Sequence, residues 1–190
     1  MSETVKKTRK KKKEEPKKPL WQEILSWILT LGAAVVIALV IRSFVFIPVM
    51  VKGMSMQNTL MNREIVIATK PEYLRGEYNR RDIIICHYPE RGSTLFVKRL
   101  VGLPGDTLRI ENGVLYVNGE MVDESGIDMN TVSYGSMEEI TLGEDEYFVM
   151  GDNRGNSNDS RRIGPITKDM IVAHVRRVVW PLSKFWDKVE

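Results

Sequence analysis

Residues Ile24–Ile41 read ILSWILTLGAAVVIALVI, a run of 18 residues without a charged side chain. As an α-helix this run is about 27 Å long, close to the ~30 Å hydrocarbon core of a bilayer. Trp21 and Trp27 stand near its start, where aromatic rings favour the membrane–water interface. The alternative is a buried helix of a soluble protein, but the rest of the chain is hardly large enough to cover it. We therefore predict a transmembrane anchor over residues 24–42.

The segment before the anchor, residues 1–23, is strongly basic and poor in apolar side chains, so we predict a disordered tail. Residues 1–20 hold nine Lys or Arg, whereas the twenty residues after the span hold only Arg42 and Lys52. The positive-inside rule then predicts a single-pass type II protein of the cell membrane, with a cytoplasmic tail and an extracytoplasmic body, residues 43–190. The apolar run is longer than that of a cleavable signal peptide.

A Lys-rich tail alone would also fit a nucleic-acid arm. The apolar span that follows makes the phospholipid bilayer the expected partner instead, and we expect no nucleic-acid binding. The whole chain has a net charge of +3 and residues 1–20 carry +6, so the remainder carries −3 and is not a basic nucleic-acid binder. One cysteine excludes an internal disulfide, and two histidines leave too few ligands for most metal sites. We expect no metal and no cofactor.

The body is predicted to be mainly β, because short runs rich in Val, Ile and aromatic residues alternate with turn signals. The runs are Phe44–Val51, Glu64–Ala68, Asp82–Cys86, Leu95–Val101, Leu108–Ile110, Val114–Val117, Tyr147–Met150 and Ile171–Val179. Asn112-Gly113 and Asn118-Gly119 predict type I′ hairpin turns on either side of Val114–Val117. The polar stretch from Glu120 to Leu142 is predicted to be an irregular surface insertion. Residues 107–146 would form a smaller inserted hairpin region.

Two residues could together carry nucleophilic chemistry, Ser55 in a turn after the anchor and Lys98 in the apolar run Leu95–Val101. Alone, each is more often an ordinary turn serine or a solvated strand lysine. A lysine is only ~0.1% neutral near pH 7.4, but burial can lower its pKa by ~3–5 units. A neutral lysine can replace histidine as the base of a serine nucleophile. A third polar segment, Gly151–Arg161, fits a calcium loop poorly because two arginines crowd it.

At these segments the sequence resembles the type I (leader) signal peptidases, particularly the shorter Gram-positive form. Val51–Leu60 is similar to the family's nucleophile motif, Gly-x-Ser-Met-x-Pro-Thr-Leu, and Val97–Asp106 to its lysine motif. Asp82–Ile85 resembles a core strand motif, Gly-Asp-Ile-Val. Gly151–Arg161 is similar to Gly-Asp-Asn-Arg-x-x-Ser-x-Asp-Ser-Arg. The similarity runs from the anchor to about residue 180.

The resemblance implies a signal-peptidase-like fold of short antiparallel strands, with Ser55 as nucleophile and Lys98 as general base. The Ser55 backbone N–H would be one oxyanion donor, and Gly53 stands where better-known members have a second donor. Ser157 would hydrogen-bond and orient the Lys98 amine. The remaining supporting residues would form a charge network; they are Asp152, Asp159 and Arg161.

The implied activity is that of a membrane-anchored serine endopeptidase. It would remove N-terminal signal peptides from secreted preproteins after small residues, in the Ala-x-Ala pattern. Two positions depart from the family pattern, Asn58 in place of a proline and Arg81 in place of a glycine, and neither removes a reacting group. A self-cleaving repressor would share the chemistry but should lack the apolar span, and a membrane-anchored scaffold would need neither Ser55 nor Lys98.

Overall fold

The computed structural model describes residues 19–44, 46–70, 78–89, 91–124, 127 and 135–189. The predicted disordered tail lies outside these residues as far as residue 18. The described residues divide into two compact units, which separate between residues 40 and 41.

The first unit contains most of the helix α1, Leu20–Phe44, whose last four residues belong to the second unit. The helix begins before the predicted anchor, so the prediction of a disordered tail is wrong for residues 20–23, which are helical. The Pro19 carbonyl accepts a hydrogen bond from Gln22 N–H at 2.8 Å, and Glu23 places a carboxylate in the first turn, where the helix dipole favours it. Residues Leu20–Val40 are long and apolar enough to cross a membrane, and none of that stretch is buried.

The second unit contains the eleven strands of the described residues and a short helix, α2, at Ser160–Ile163. The strands are β1 Phe46–Met50, β2 Ile65–Thr69, β3 Ile83–Cys86, β4 Phe96–Gly102, β5 Thr107–Glu111, β6 Val114–Val117, β7 Glu120–Met121, β8 Met137–Thr141, β9 Glu146–Met150, β10 Ile166–Thr167 and β11 Ile171–Trp180. Each of the eight predicted runs overlaps one of these strands, with ends that differ by two residues at most. The mainly β class is confirmed.

The strands form two antiparallel sheets, one of seven strands in the order β1-β2-β11-β3-β4-β9-β10 and one of four in the order β7-β6-β5-β8. One apolar cluster joins the sheets, with Val101 from β4, Phe148 from β9 and Leu108 from β5. At this junction a Cβ on Gly102 would lie 2.9 Å from the Phe148 Cβ. Only glycine allows this close approach.

The two predicted hairpin turns are confirmed. Asn112 and Gly113 join β5 to β6 with φ of 51° and 80°, and Asn118 and Gly119 join β6 to β7 with φ of 54° and 82°. Two successive positive φ angles define the type I′ turn, whose twist matches that of the flanking strands.

The prediction of an irregular stretch over Glu120–Leu142 is wrong at both ends, because β7 and β8 lie within it. The register of β8 against β5 shifts between Leu108 and Ile110. The two apolar residues of β8, Met137 and Ile140, are three positions apart in the sequence. The strand therefore lacks the alternation of apolar and polar residues by which strands are recognised.

The pairing of β3 with β4 decides which way the Lys98 side chain points. Lys98 lies directly opposite Ile84, and Phe96 lies opposite Cys86. Side chains alternate between the two faces of a strand, so Lys98 shares a face with Phe96 and Leu100, which belong to one apolar cluster. The sheet therefore turns the lysine towards an apolar layer rather than towards solvent.

Candidate active site

A loop between β1 and β2 carries Ser55. Backbone hydrogen bonds from Val51 N–H to Glu64 O, at 2.8 Å, and from Arg63 N–H to Val51 O, at 2.9 Å, close its base. Inside the loop, Met56 and Leu60 are buried in the core and pin the chain on the C-terminal side of the serine. Ser55 itself stays half-buried, so its hydroxyl lies at the surface of a fixed turn.

The Lys98 amine reaches this hydroxyl from β4. Lys98 is only 2% exposed, and its Nζ lies 2.8 Å from Ser55 Oγ and donates to the Val97 carbonyl at 3.0 Å. The ring of Phe96 lies 5.9 Å from the same nitrogen. The two predicted reacting groups, 43 residues apart in the chain, are therefore in hydrogen-bond contact.

Burial lowers the pKa of Lys98 below its ordinary value, because an apolar setting disfavours the charged amine. The Asp159 carboxylate acts in the opposite direction, but it does not cancel the effect of burial. Burial also raises the pKa of the Cys86 thiol to about 12. The thiol beside the lysine is therefore neutral near neutral pH, and it gives the amine no charged partner.

A buried ion pair joins β4 to the segment after β9. Arg99 donates to Asp152 through Nε and through a terminal nitrogen, each at 2.8 Å, and the two side chains are 4% and 0% exposed. Asp152 also accepts a hydrogen bond from the Thr59 hydroxyl at 2.5 Å. One carboxylate therefore links the lysine strand to the serine loop.

Sequence reasoning found Asp152 but missed Arg99 and Thr59. Arg99 directly follows Lys98, so strand alternation places it on the opposite face of β4, where it needs an acidic partner. That alternation was the available signal. No feature of the sequence indicated a role for Thr59, because threonine is common in turns.

A second ion pair orders the segment that touches Ser55. Arg161 donates two hydrogen bonds of 2.8 Å to Asp159, which also accepts from Gly151 N–H at 3.0 Å. Burial alone would raise the pKa of Asp159, but the Arg161 guanidinium and the Gly151 N–H outweigh it and hold the pKa below its ordinary value. The carboxylate therefore stays charged and keeps both partners.

The backbone of this segment packs directly on the serine loop. Asn153 N–H donates to the Ser55 carbonyl at 3.0 Å. A Cβ on Gly151 would lie 2.5 Å from that carbonyl oxygen and 2.3 Å from Ser157 Oγ, so no larger residue fits at position 151 without a shift of the Ser55 backbone. The two loops form one packed unit behind the hydroxyl.

One expected supporting contact differs from the prediction, and one further contact was not predicted. The hydrogen bonds described for the Lys98 amine go to Ser55 and Val97, and none joins it to Ser157, whose hydroxyl is buried against Gly151. Gly53 N–H donates to the Asn62 side-chain oxygen at 3.1 Å, an interaction that the sequence did not suggest. By contrast, Ser55 N–H has no hydrogen-bond partner among the described residues.

The two departures from the family motifs occupy unusual backbone positions. Asn58 has a φ of 82°, which asparagine tolerates and which proline, with its φ fixed near −65°, cannot adopt. Arg81 has a φ of 79°, a conformation that glycine adopts freely and that costs other residues roughly 1–2 kcal/mol. Its carbonyl accepts a hydrogen bond from Arg99 at 2.8 Å. The turn after Ser55 therefore differs from one built on proline.

Ser55 and Lys98 line a cavity of ≈ 460 Å³ between two chain segments, residues 49–56 on one side and residues 93–98 on the other. Its walls are mostly apolar and include Val49, Met50 and Phe96. Among the described residues, no group of three or more His, Cys, Asp or Glu side chains is arranged to hold a metal ion. The cavity can admit an extended peptide beside the serine hydroxyl.

The chain matches the family model described as "Signal peptidase, peptidase S26" over residues 24–180. It belongs to this family. It is 39% identical to signal peptidase I S of Bacillus subtilis (strain 168), over 86% of this chain and 92% of that protein. It is 41% identical to signal peptidase I P of Bacillus subtilis subsp. natto, over 84% and 90% respectively. With signal peptidase IB of Staphylococcus aureus (strain COL), it is 33% identical over 86% and 93%.

A solved signal peptidase I from Enterococcus faecalis V583 is 31% identical, with a TM-score of 0.44 over 52% of this chain and 97% of that chain. The family resemblance predicted from the motifs is confirmed by the family match and by the Bacillus and Staphylococcus relatives. This signal peptidase is a hydrolase, a serine endopeptidase of the signal peptidase I type.

We predict that Thr59→Val slows cleavage and destabilises the fold, because Asp152 loses the donor that joins the serine loop to β4. A lost hydrogen bond to a buried charge costs ~1.5–3 kcal/mol. A small displacement of Ser55 should reduce kcat by about tenfold with little change in KM. Cleavage kinetics and thermal unfolding in detergent measure both effects. Thr59→Ser, which keeps the hydroxyl, should behave like the wild type, and a valine variant indistinguishable from it would contradict the role of the bond.

Proposed function

We propose that this signal peptidase cleaves with Ser55 as nucleophile and neutral Lys98 as general base. The main support for this proposal is the 2.8 Å distance between Lys98 Nζ and Ser55 Oγ, together with the nearly complete burial of Lys98. A general base must lie within hydrogen-bond reach of the proton that it removes and must be unprotonated near the working pH. Contact and burial together support both conditions.

In the proposed reaction, Lys98 takes the Ser55 proton as Oγ attacks the peptide carbonyl, which gives a tetrahedral oxyanion. The protonated amine then donates its proton to the leaving amine as the peptide bond breaks and the acyl-enzyme forms. Water, deprotonated by the same lysine, attacks the ester and releases Ser55 with its proton restored. No metal or organic cofactor takes part in these steps.

The oxyanion needs preorganised donors, each often worth ~3–4 kcal/mol. Ser55 N–H can be the first oxyanion donor, because none of the described residues accepts a hydrogen bond from it. Gly53 N–H serves only after it leaves Asn62, to which it donates in the present conformation. We therefore assign the first donor to Ser55 and leave Gly53 as a donor that substrate binding must release.

The substrate is an extended segment of a secretory preprotein, cut after small residues in the Ala-x-Ala pattern. β1 is an edge strand and can receive an added strand along the cavity. Alternate side chains of an added strand point to the same face, so the residues at positions −1 and −3 both face the cavity wall of Val49 and Phe96. Small side chains suit such shallow apolar contacts.

Three charged residues position the reacting groups rather than react. Asp152 links the serine loop to the lysine strand, and Asp159 with Arg161 fixes the Gly151 backbone against Ser55. We assign no orienting role to Ser157, because it makes no described hydrogen bond with the Lys98 amine.

We propose that α1 anchors the enzyme in the cell membrane as a single-pass type II protein. Supporting this are its apolar length and the nine basic residues that precede it, which favour a cytoplasmic N-terminus. Secretory preproteins and the phospholipid bilayer are then its partners. The body acts on the extracytoplasmic side, where signal-peptide cleavage sites emerge.

The dyad is tested with Ser55→Ala and Lys98→Ala in the full chain, with a secretory preprotein as substrate. We expect each variant to lose at least about 10³-fold in kcat/KM, because neither group works without the other. Ser136→Ala and Lys168→Ala, both exposed and outside the cavity, are matched controls that should keep wild-type rates. Substantial cleavage by Lys98→Ala near neutral pH would exclude lysine as the base.

The pH dependence of cleavage follows from the lowered pKa of Lys98. Activity should be low where the amine is protonated and should rise with pH through the lowered pKa, reaching its plateau below the ordinary lysine value of 10.5. Asp159→Asn removes a charge that raises this pKa and leaves Arg161, which lowers it, so the inflection in kcat/KM should move to lower pH. An inflection that stays in place or moves upward would contradict this electrostatic account.

The orientation is tested by adding protease to intact spheroplasts. We expect the body to be degraded from outside while an epitope on residues 1–18 stays protected until the membrane is opened. A protected body would overturn the topology and leave the chemistry of the dyad untouched.

A further inference from the structure

A basic cavity of ≈ 480 Å³ lies where the chain enters β3, beside β11 and residues 188–189, and the proposed reaction makes no use of it. Its cationic lining residues are Arg80, Arg81, Arg176, Arg177 and Lys188. The body as a whole does not share this charge, because residues 21–190 carry −3. Positive charge concentrated on a concave surface attracts anionic ligands.

Three of the lining arginines form no ion pair with any of the described acidic residues. They are Arg81, Arg176 and Arg177. Arg80, by contrast, pairs with Asp106 at 2.9 Å. Three guanidinium groups that line one cavity repel one another, and an anion bound between them removes that repulsion.

The carboxylate of Asp82 also lines the cavity and offsets part of this charge. One of its oxygens accepts a hydrogen bond from Asn79 N–H at 2.8 Å, and the other lies 3.4 Å from His174 Nε2. A single carboxylate balances one of the three arginines at most, which leaves an excess of two positive charges. A ligand with two or more negative charges would balance that excess.

Arg81 occupies its position at an energetic cost. Its φ of 79° is a conformation that glycine adopts without strain, and the family motif has glycine here. Its backbone N–H donates to the Leu100 carbonyl at 2.8 Å, and its carbonyl accepts from Arg99 at 2.8 Å. Glycine would make both bonds equally well, so neither bond explains the arginine side chain. Strained residues often mark functional sites, and this one lines the cavity.

We propose that this cavity binds a phosphate-bearing anion with two or more negative charges. Arginine suits phosphate because its planar fork donates two parallel hydrogen bonds to phosphate oxygens, and such charge-assisted bonds are stronger than neutral ones. A diphosphate group offers oxygens to several guanidinium groups at once, whereas a single carboxylate matches one fork. The cavity volume of ≈ 480 Å³ lies within the ~300–1,000 Å³ that is common for small-ligand sites.

The test uses the full-length enzyme in neutral detergent, with inorganic pyrophosphate as the probe and 0.15 M NaCl to screen diffuse attraction. Isothermal titration calorimetry measures the Kd. Arg81→Gly combined with Arg176→Gln should raise the Kd at least about tenfold, because two charge-assisted contacts are lost. The matched control, Arg162→Gln with Lys168→Gln, removes two exposed positive charges outside the cavity and should keep the wild-type Kd.

Arg81→Gly by itself separates anion binding from folding. The substitution relieves the positive φ and keeps both backbone hydrogen bonds, so without pyrophosphate the variant should unfold at the wild-type temperature or higher. It should nonetheless bind pyrophosphate at least about threefold more weakly, because one guanidinium is gone. A variant that unfolds earlier and binds pyrophosphate as the wild type does would show that Arg81 serves the fold alone, and would overturn the proposal.

Soluble polyanions and lipid headgroups both carry phosphate, and a competition experiment separates the two sources. Displacement of pyrophosphate by dihexanoyl-phosphatidylglycerol, but not by dihexanoyl-phosphatidylcholine, would assign the site to headgroups, and no displacement by either would assign it to soluble anions. No measurable binding of pyrophosphate, an equal loss of affinity in the control variant, or succinate binding as tightly as pyrophosphate would overturn the proposal. These measurements need no preprotein, so their outcome is independent of the roles proposed for Ser55 and Lys98.

Discussion

A lysine amine is stable in an apolar layer only if it gives up its proton or gains a charged partner, and the architecture around Lys98 favours the first outcome. Pairing of β3 with β4 sets its side chain opposite Ile84, between Phe96 and Leu100. The nearest polar contact that this position allows is the Ser55 hydroxyl. In the proposed mechanism, this energetic penalty on the charged amine is what makes Lys98 a base, and the sheet register maintains the penalty.

The serine must meet this amine from a loop, and loops need external restraint. Two buried carboxylates supply it. Asp152 accepts hydrogen bonds from two nitrogens of Arg99 and from the Thr59 hydroxyl. Asp159 accepts hydrogen bonds from Arg161 and from the Gly151 N–H. Each carboxylate is fully desolvated, which is costly unless every oxygen is satisfied. Bidentate arginines meet that requirement and leave an acceptor site for the loop.

The sequence predicts local features well because their causes are local. Asn-Gly pairs dictate both type I′ turns, and β-branched runs mark eight strands. Contacts that depend on tertiary packing are harder to predict. The bulge in β8 hides its alternation, Thr59 gains its meaning only beside Asp152, and the Gly53–Asn62 bond depends on how the serine loop closes. Motif resemblance supplied candidate residues, but it predicted a Ser157–Lys98 bond that the described contacts do not contain.

Asn58, one of the two departures from the family motifs, lies where the end of the chain approaches the serine loop. Asn58, in the turn after Ser55, lines a small cavity with Lys184 and Asp187, which belong to the C-terminal segment, residues 181–189. The Lys184–Glu64 pair reaches the base of that same loop. A turn without proline is less rigid by itself, since proline fixes φ before folding. Packing by a segment beyond the family match can replace that lost restraint, so the position of Ser55 depends partly on residues that no nucleophile motif includes.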